Sequence, residues 1–153
     1  MNKKILTLCI IHQYPKILLG MKKRGHGKGK WNGFGGKVEK GETIEEAAVR
    51  ETKGETGIEV SKIKKLGILE FVYQDGSGNM EVHIFYTKEF KGNPTESEEM
   101  KPQWFDIAEI PYNQMWSDDK YWLPLFLKGK RFKGKFLFDK FNEIIDYSLL
   151  ELK

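Results

Sequence analysis

A glycine turn in the first third of the chain is followed by acidic residues and one arginine at fixed offsets. Gly36 is followed by Glu42, then by the consecutive pair Arg50 and Glu51, and then by Glu55. Carboxylates four residues apart on a helix share one face, where they repel each other unless a cation neutralises them. Magnesium takes carboxylate oxygens and leaves part of its coordination shell to substrate phosphates. The spacing therefore predicts divalent cations held against a polyphosphate.

The segment that carries these residues has the start and stop signals of a helix. Thr43 followed three residues later by Glu46 is a capping box, and Gly57 is a typical C-terminal stop. Arg50 suits an ion pair that orients a glutamate such as Glu42. A solvated acidic helix with surface ion pairs is the alternative explanation of a Glu-rich helix. The joint agreement of the glycines and the offsets favours the cation site.

The run GKVEKGETIEEAAVRETKGETGI, residues 36–58, resembles the Nudix box of the Nudix hydrolase family. It departs at one position, because Gly54 stands where the box has a glutamate. The resemblance implies hydrolysis of a phosphoanhydride with Mg²⁺, for which Mn²⁺ can substitute. The metal ligands that it implies are the Gly36 carbonyl, Glu51, Glu55 and Glu99, and the same three glutamates are the implied catalytic residues. Whether Glu51 or Glu55 deprotonates the attacking water stays open.

Glu99 comes from the acidic run at residues 96–99, and a run of loop charges is ordinarily just solvated. In the family, a glutamate from a loop far along the chain completes the metal site or positions the water. The alignment through Met100, Pro102 and Trp104 favours Glu99 over Glu98 for this role.

Longer segments resemble the branch of MutT homologues that hydrolyse oxidised purine nucleoside triphosphates, such as 8-oxo-dGTP and 2-hydroxy-dATP, to the monophosphate and pyrophosphate. They are GMKKRGHGKGKWNGFGGKVEKGETIEEA, NPTESEEMKPQWF, IPYNQMWSDDKYWLPLFL, FKGKFLFD and IIDYSLLE. The substrate-binding residues that this resemblance implies are Thr7, Lys22, Asn32, Phe34, Gly35, Gly36, Lys37, Trp116, Asp118 and Asp119. His26 falls where the branch usually has phenylalanine at the pocket mouth, and an exposed loop histidine is the equally simple alternative.

The residue types at the implied base pocket suit purine recognition. The Asn32 amide offers both a donor and an acceptor, and Trp116 would stack on the face of the base. Two neighbouring carboxylates, Asp118 and Asp119, cannot both ionise cheaply in a desolvated pocket, so one would hold a proton and donate it. Each residue also has an ordinary alternative: a core tryptophan, and acids favoured at a helix N-terminus after Ser117.

Composition limits the class of protein. The 153 residues are 39% hydrophobic with a net charge of +4, which predicts a single domain over residues 1–153 and fits an anionic substrate. One cysteine, Cys9, excludes an internal disulfide and favours a reducing cytosol. The N-terminal apolar run is interrupted by Thr7 and ends at His12, which predicts a buried strand instead of a secretory signal. We expect a cytoplasmic monomer that binds a small nucleotide, without a membrane or nucleic-acid polymer as partner.

Hydrophobic patterning predicts the remaining elements. Strands are expected at 3–12, 16–22, 64–74, 80–90, 103–107, 131–138 and 144–150, with helices at 43–57 and 118–127. A Gly-rich loop at 24–32 follows the second strand, and residues 75–79 carry a hairpin signal. This order predicts an α/β (α+β) fold with helices on both faces of a mixed sheet, and the resemblance implies a Nudix-type α/β/α sandwich with the box helix against the sheet.

Two other classes of function stay open. Gly54 would also be the sign of a nucleotide-binding protein with weakened catalysis, and another nucleotide could be the substrate. Basic residues interleaved with Phe132, Phe136 and Phe138 would suit a module that binds RNA or DNA. The same alternation is typical of a half-buried strand, which we favour.

Overall fold

Eight β-strands form one mixed sheet in the computed structural model, which describes residues 3–153. The elements in chain order are β1 (Lys4–Gln13), β2 (Lys16–Lys22), β3 (Trp31–Asn32), α1 (Ile44–Thr56), β4 (Lys64–Tyr73), β5 (Asn79–Thr87), β6 (Met100–Asp106), α2 (Asp119–Leu127), β7 (Arg131–Phe138) and β8 (Ile144–Leu152). Two single-turn 3-10 helices, Ile107–Glu109 and Tyr112–Gln114, join β6 to α2. Among the described residues, no helix is long and apolar enough to cross a membrane.

The strands lie in the order β3-β2-β1-β5-β4-β7-β8, and β6 pairs with β2. The pairs β1–β5 and β4–β7 are parallel, whereas the other pairs are antiparallel. The predicted mixed sheet is therefore confirmed.

The box helix α1 begins and ends as its sequence predicts. Thr43 Oγ1 accepts the N–H of Glu46 at 3.0 Å, and the Glu46 carboxylate accepts the N–H of Thr43 at 2.8 Å. At the other end, Gly57 adopts a left-handed φ of 78° and donates its N–H to the Lys53 carbonyl. Ala48 is buried in an apolar cluster that holds α1 against one face of the sheet.

The opposite face carries α2 and the larger apolar cluster. Trp122 and Phe126 of α2 pack there with Phe132, Phe136 and Phe138 of β7. These three phenylalanines are at most 4% exposed, while the basic residues between them are exposed or half-buried. Because the aromatic rings are in the core, β7 is the half-buried strand that the alternation predicts and offers no stacking platform for bases.

Two strand predictions were incomplete. The two-residue β3 was missed, and it pairs Asn32 with Gly20 of β2. Strand β6 begins at Met100, three residues earlier than expected, because Pro102 is tolerated opposite Gly20. Trp104 of β6 is half-buried and packs against the α1-side cluster, as expected of a core residue.

Candidate active site

A cavity of about 290 Å³ lies between the α2 face of the sheet and the Gly-rich loop. Nine of the predicted site residues line it: Thr7, Lys22, Asn32, Gly35, Gly36, Glu55, Trp116, Asp118 and Asp119. They come from β1, β2, β3, the loop before α1, α1 itself and the start of α2. The fold therefore brings together side chains that are more than 100 residues apart in the chain.

The acid pair forms the deep wall of the cavity. Asp118 and Asp119 are 4% and 3% exposed, and Asp118 Oδ2 accepts the indole N–H of Trp122 at 2.7 Å. Asp119 Oδ2 is buried without a hydrogen-bond partner in the protein. Burial raises the pKa of both carboxyl groups, and the charge of Asp118 raises the pKa of Asp119 further. One proton is therefore shared at this wall.

The acid pair does not cap α2. Asp118 occupies the N-cap position, but its side chain makes no capping hydrogen bond and points its carboxylate to Trp122 instead. A carboxylate whose role was to stabilise the helix start would accept a backbone N–H of the first turn. The geometry thus favours a cavity role for Asp118 over the helix-terminal alternative.

Trp116 and Asn32 lie nearer the cavity mouth. Trp116 is half-buried, and its ring packs on the exposed His26 ring with centroids 5.1 Å apart and on Gly27. The Lys30 ammonium nitrogen lies 5.2 Å from the Trp116 ring centroid. Asn32 Oδ1 accepts the N–H of Gly33 at 2.9 Å, which fixes the orientation of the amide. Trp116 is therefore a wall of the mouth and not a residue of either apolar cluster.

The other end of the cavity is built from two glycines and two glutamates. Glu55 accepts the N–H of Gly35 at 2.9 Å. A side chain on Gly36 would place its Cβ 2.7 Å from the carboxylate carbon of Glu51. A Cβ on Gly35 would lie 1.8 Å from the Thr7 carbonyl oxygen. Only glycine permits this approach, so the two glycines let α1 press its carboxylates against the loop and β1.

Glu55 is a strongly perturbed carboxyl group. Burial raises its pKa to about 7, and the negative charge of Glu51 adds to this rise. The N–H of Gly35 and the charge of Lys22 act in the opposite direction without compensating. Near neutral pH, Glu55 can therefore both accept and release a proton, as a general base or a cation ligand must.

Arg50 orients the acidic face as the spacing predicted. Its Nε and Nη2 donate to the two carboxylate oxygens of Glu42 at 2.9 and 2.8 Å, and its Nη1 donates to Glu51 at 2.6 Å. This pairing, together with the N–H of Glu39, lowers the pKa of Glu42 to about 2. The guanidinium also donates to the Lys37 carbonyl at 3.0 Å, which ties α1 to the glycine loop.

The donors at this end fit a magnesium ion. Glu51 and Glu55 supply carboxylate oxygens, and the Gly36 carbonyl, which accepts the N–H of Thr7 at 2.9 Å, retains a second lone pair. In the part of the chain that the structure describes, no group of three or more acidic, histidine or cysteine side chains converges on one point. Magnesium is commonly held by one or two carboxylates while phosphates and waters complete its shell. The residues present meet that requirement.

Four predicted residues lie outside the cavity wall. Phe34 is fully buried in the α1-side cluster, and Lys37 is exposed. Glu51 lies behind Gly36, held by Arg50. The carboxylate of Glu99 accepts the Nε of Arg24 at 2.7 Å, so it would have to leave Arg24 to reach a cation. Its assignment as a ligand stays a prediction, as do the roles of the other three.

Sequence reasoning missed most of the apolar wall. Phe71, Tyr73, Met80, Val82 and Phe138 line the cavity from β4, β5 and β7. Met80 and Val82 alternate along β5, so strand periodicity could have placed them on one face. That alternation does not show which end of the face is left open for a ligand.

Comparison with known proteins identifies the fold family. The NUDIX domain model matches residues 4–126. The chain belongs to the Nudix family. The oxidized purine nucleoside triphosphate hydrolase of Danio rerio is 51% identical over 152 residues, covering 99% of this chain and 97% of that protein. The enzyme of the same name from Mus musculus is 48% identical, with 99% and 97% coverage.

A solved structure agrees with this assignment. The Nudix chain described here superimposes on the crystal structure of a mutator MutT protein from Bacillus halodurans with a TM-score of 0.84 and 28% identity. The match covers 95% of this chain and 97% of the other. The expected Nudix-type sandwich, with the box helix against a mixed sheet, is therefore confirmed.

Proposed function

We propose that this Nudix protein hydrolyses oxidised purine nucleoside triphosphates, 8-oxo-dGTP and 2-hydroxy-dATP among them, to the monophosphate and pyrophosphate. The observation that carries the proposal is the continuity of one cavity. The buried acid pair Asp118–Asp119 lies at one end, and Glu55 with Gly35 and Gly36 lies at the other. A purine read at the first end places its phosphates at the second.

The base end discriminates by hydrogen bonding. An oxidised purine differs from its parent in the donors and acceptors on its edge, and a protonated carboxyl donates where a carboxylate accepts. The unpartnered Asp119 Oδ2 is free to bond a base edge. Binding the correct base satisfies this buried atom, whereas a base that leaves it unpaired forfeits about 1–3 kcal/mol. Trp116 supplies the stacking surface.

The phosphate end orients the reacting atoms. Bound magnesium would supply electrostatic stabilisation of the triphosphate and a water of lowered pKa. Glu51 and Glu55, with the Gly36 carbonyl, would hold the cation, and Glu99 would join them on leaving Arg24. Glu51 or Glu55 would accept the proton of the attacking water, a role that the pKa of Glu55 suits. Lys22 lines the same end and neutralises phosphate charge.

The proposal is tested by pyrophosphate release with magnesium from 8-oxo-dGTP, 2-hydroxy-dATP and their unmodified parents. We expect faster release from the oxidised nucleotides, loss of release in Glu55→Gln, and loss of the preference for oxidised bases in Asp119→Asn. Equal rates for dGTP and 8-oxo-dGTP would contradict the assigned base recognition. Release from a different nucleotide alone would indicate another Nudix substrate.

A second function is favoured by one observation. Gly54 is exposed on α1 where the Nudix box has a glutamate, so the acidic face has one carboxylate fewer. A protein that binds the nucleotide but turns it over weakly would follow. Thermal stabilisation by 8-oxo-dGTP without pyrophosphate release supports this binding function, and release supports the enzyme.

The remaining assignments complete the proposal. The partner is a small nucleotide, and Mn²⁺ would substitute for Mg²⁺ because both accept carboxylate and phosphate oxygens. Cys9 is buried and unpaired, which fits a reducing cytosol. We assign a monomeric state, which size-exclusion chromatography with light scattering would test directly.

A further inference from the structure

A second cavity, which we call the α2-end cavity, lies at the opposite end of the same sheet face. Its volume is about 370 Å³, and it forms where His12 of β1, Lys64 of β4 and Tyr86 of β5 meet Phe126 and Lys128 at the C-terminal end of α2. It shares no lining residue with the candidate active site. Any ligand here would therefore bind independently of the nucleotide contacts described above.

His12 gives this cavity an unsatisfied polar atom. The residue is 7% exposed, and its Nε2 is buried without a hydrogen-bond partner in the protein. The ring is held edge-on to Tyr86, with centroids 6.0 Å apart. Buried polar atoms are nearly always paired, and each exception calls for an explanation such as a bound ligand. A ligand atom that reaches Nε2 would remove the penalty.

The charge around the cavity selects an anion. Lys64 and Lys128 line it, no aspartate or glutamate does, and neither lysine forms an ion pair within the described residues. The carbonyls at the end of α2 would repel an anion if left bare, but Phe126 O accepts the N–H of Gly129 and Leu125 O accepts that of Lys130. The positive side chains therefore set the local field.

The apolar part of the lining selects the rest of the ligand. Leu66 is 4% exposed, and Phe126 is fully buried beneath the cavity. Inorganic phosphate would leave these side chains uncovered, whereas an aromatic or aliphatic body would bury them.

We propose that the α2-end cavity binds a small organic anion. Its carboxylate or phosphate lies between Lys64 and Lys128, its apolar body rests on Leu66 and Phe126, and one of its polar atoms bonds His12 Nε2. The site is separate from the proposed hydrolysis, which continues whether or not it is occupied.

The experiment titrates the full-length protein with benzoate, phenyl phosphate and inorganic phosphate while backbone amide resonances are followed by NMR. We expect the amides of Leu66 and Gly129 to shift with both aromatic anions, whereas Asn32 and Gly35 report binding in the active site instead. Benzoate and phenyl phosphate distinguish carboxylate from phosphate preference. Inorganic phosphate should bind about tenfold more weakly because it covers no apolar surface.

Matched variants localise the binding. Alanine at both Lys64 and Lys128 should raise Kd about tenfold or more, because charge-assisted hydrogen bonds are lost. Alanine at Lys133 and Lys135, exposed lysines of β7, should leave Kd unchanged with the same loss of net charge. His12→Phe should weaken binding while retaining the fold and pyrophosphate release. The proposal is overturned if the aromatic anions shift only Asn32 and Gly35, or if the two double variants lose affinity equally.

Discussion

Replacement of Gly54 separates the stability of α1 from its cation binding. Gly54 is an exposed residue inside the helix, outside the left-handed φ region, and a Cβ added there would meet no atom within 4 Å. Gly54→Ala should therefore gain the helix propensity of alanine without a steric penalty, about 1 kcal/mol. For a chain of this size the melting temperature should rise by about 2–4 °C.

Gly54→Glu adds a carboxylate to the same gain. Glutamate is nearly as good a helix former as alanine, but it would lie three residues after Glu51 and repel it by about 0.2–0.5 kcal/mol. The net gain without a divalent cation is about 0.5 kcal/mol. If the new carboxylate joins Glu51 and Glu55 at a cation, magnesium should stabilise this variant at lower concentration than the parent. At ten times Kd the linkage amounts to about 1.4 kcal/mol.

Urea unfolding with EDTA and across a magnesium titration measures both effects. Gly54→Gln is the matched control, because it has the length and helix propensity of glutamate without the charge. Pyrophosphate release should rise in Gly54→Glu and stay near the parent rate in the alanine and glutamine variants. The reasoning on the helix is refuted if Gly54→Ala loses stability. The reasoning on the cation is refuted if magnesium stabilises the glutamate and glutamine variants equally.

Three further changes test the cavity. Glu55→Gln should abolish pyrophosphate release; because the folded-state pKa of Glu55 is raised to about 7, its stabilising contribution is lost as pH rises from about 4.5 through 7, so the variant should exceed the parent by about 2 kcal/mol at pH 8 and by little at pH 4, measured by urea unfolding. Asp119→Asn should likewise be more stabilising at pH 8 than at pH 4, since burial and Asp118 raise the pKa of Asp119, and chemical denaturation at both values checks the sign. Gly35→Ala should destabilise by about 3 kcal/mol or more and lower the melting temperature, because its Cβ would lie 1.8 Å from the Thr7 carbonyl oxygen; an unchanged melting temperature would contradict the close approach.

Local signals predicted the elements that depend on local interactions. Helix α1 follows from the Thr43–Glu46 capping box and the Gly57 stop, each of which acts within one helical turn. Strand β3 could not be predicted in this way, because two residues give no periodicity and its pairing with β2 is decided by the loop between them. Pro102 misplaced the start of β6, since a proline lacks a donor and discourages a strand assignment.

The site divides along the same line. The shared face of Glu51 and Glu55 and the pairing of Arg50 with Glu42 follow from offsets within the box and its flanking loop. The assignment of the acid pair came from resemblance, because adjacent aspartates before a helix are common without any ligand. The contact between Arg24 and Glu99 joins residues 75 apart, and no local pattern encodes it.

The two ends of the active-site cavity are mechanically coupled through β1. Thr7 donates its backbone N–H to the Gly36 carbonyl, while its buried Oγ1, without a partner in the protein, belongs to the same cavity wall. Gly35 touches the Thr7 carbonyl and donates its own N–H to Glu55. A shift of β1 of a few tenths of an ångström would therefore move a base-side wall and a proton-accepting carboxylate together. Recognition and hydrolysis would then respond jointly to substitutions in β1, because the glycine contacts leave no free space to absorb the displacement.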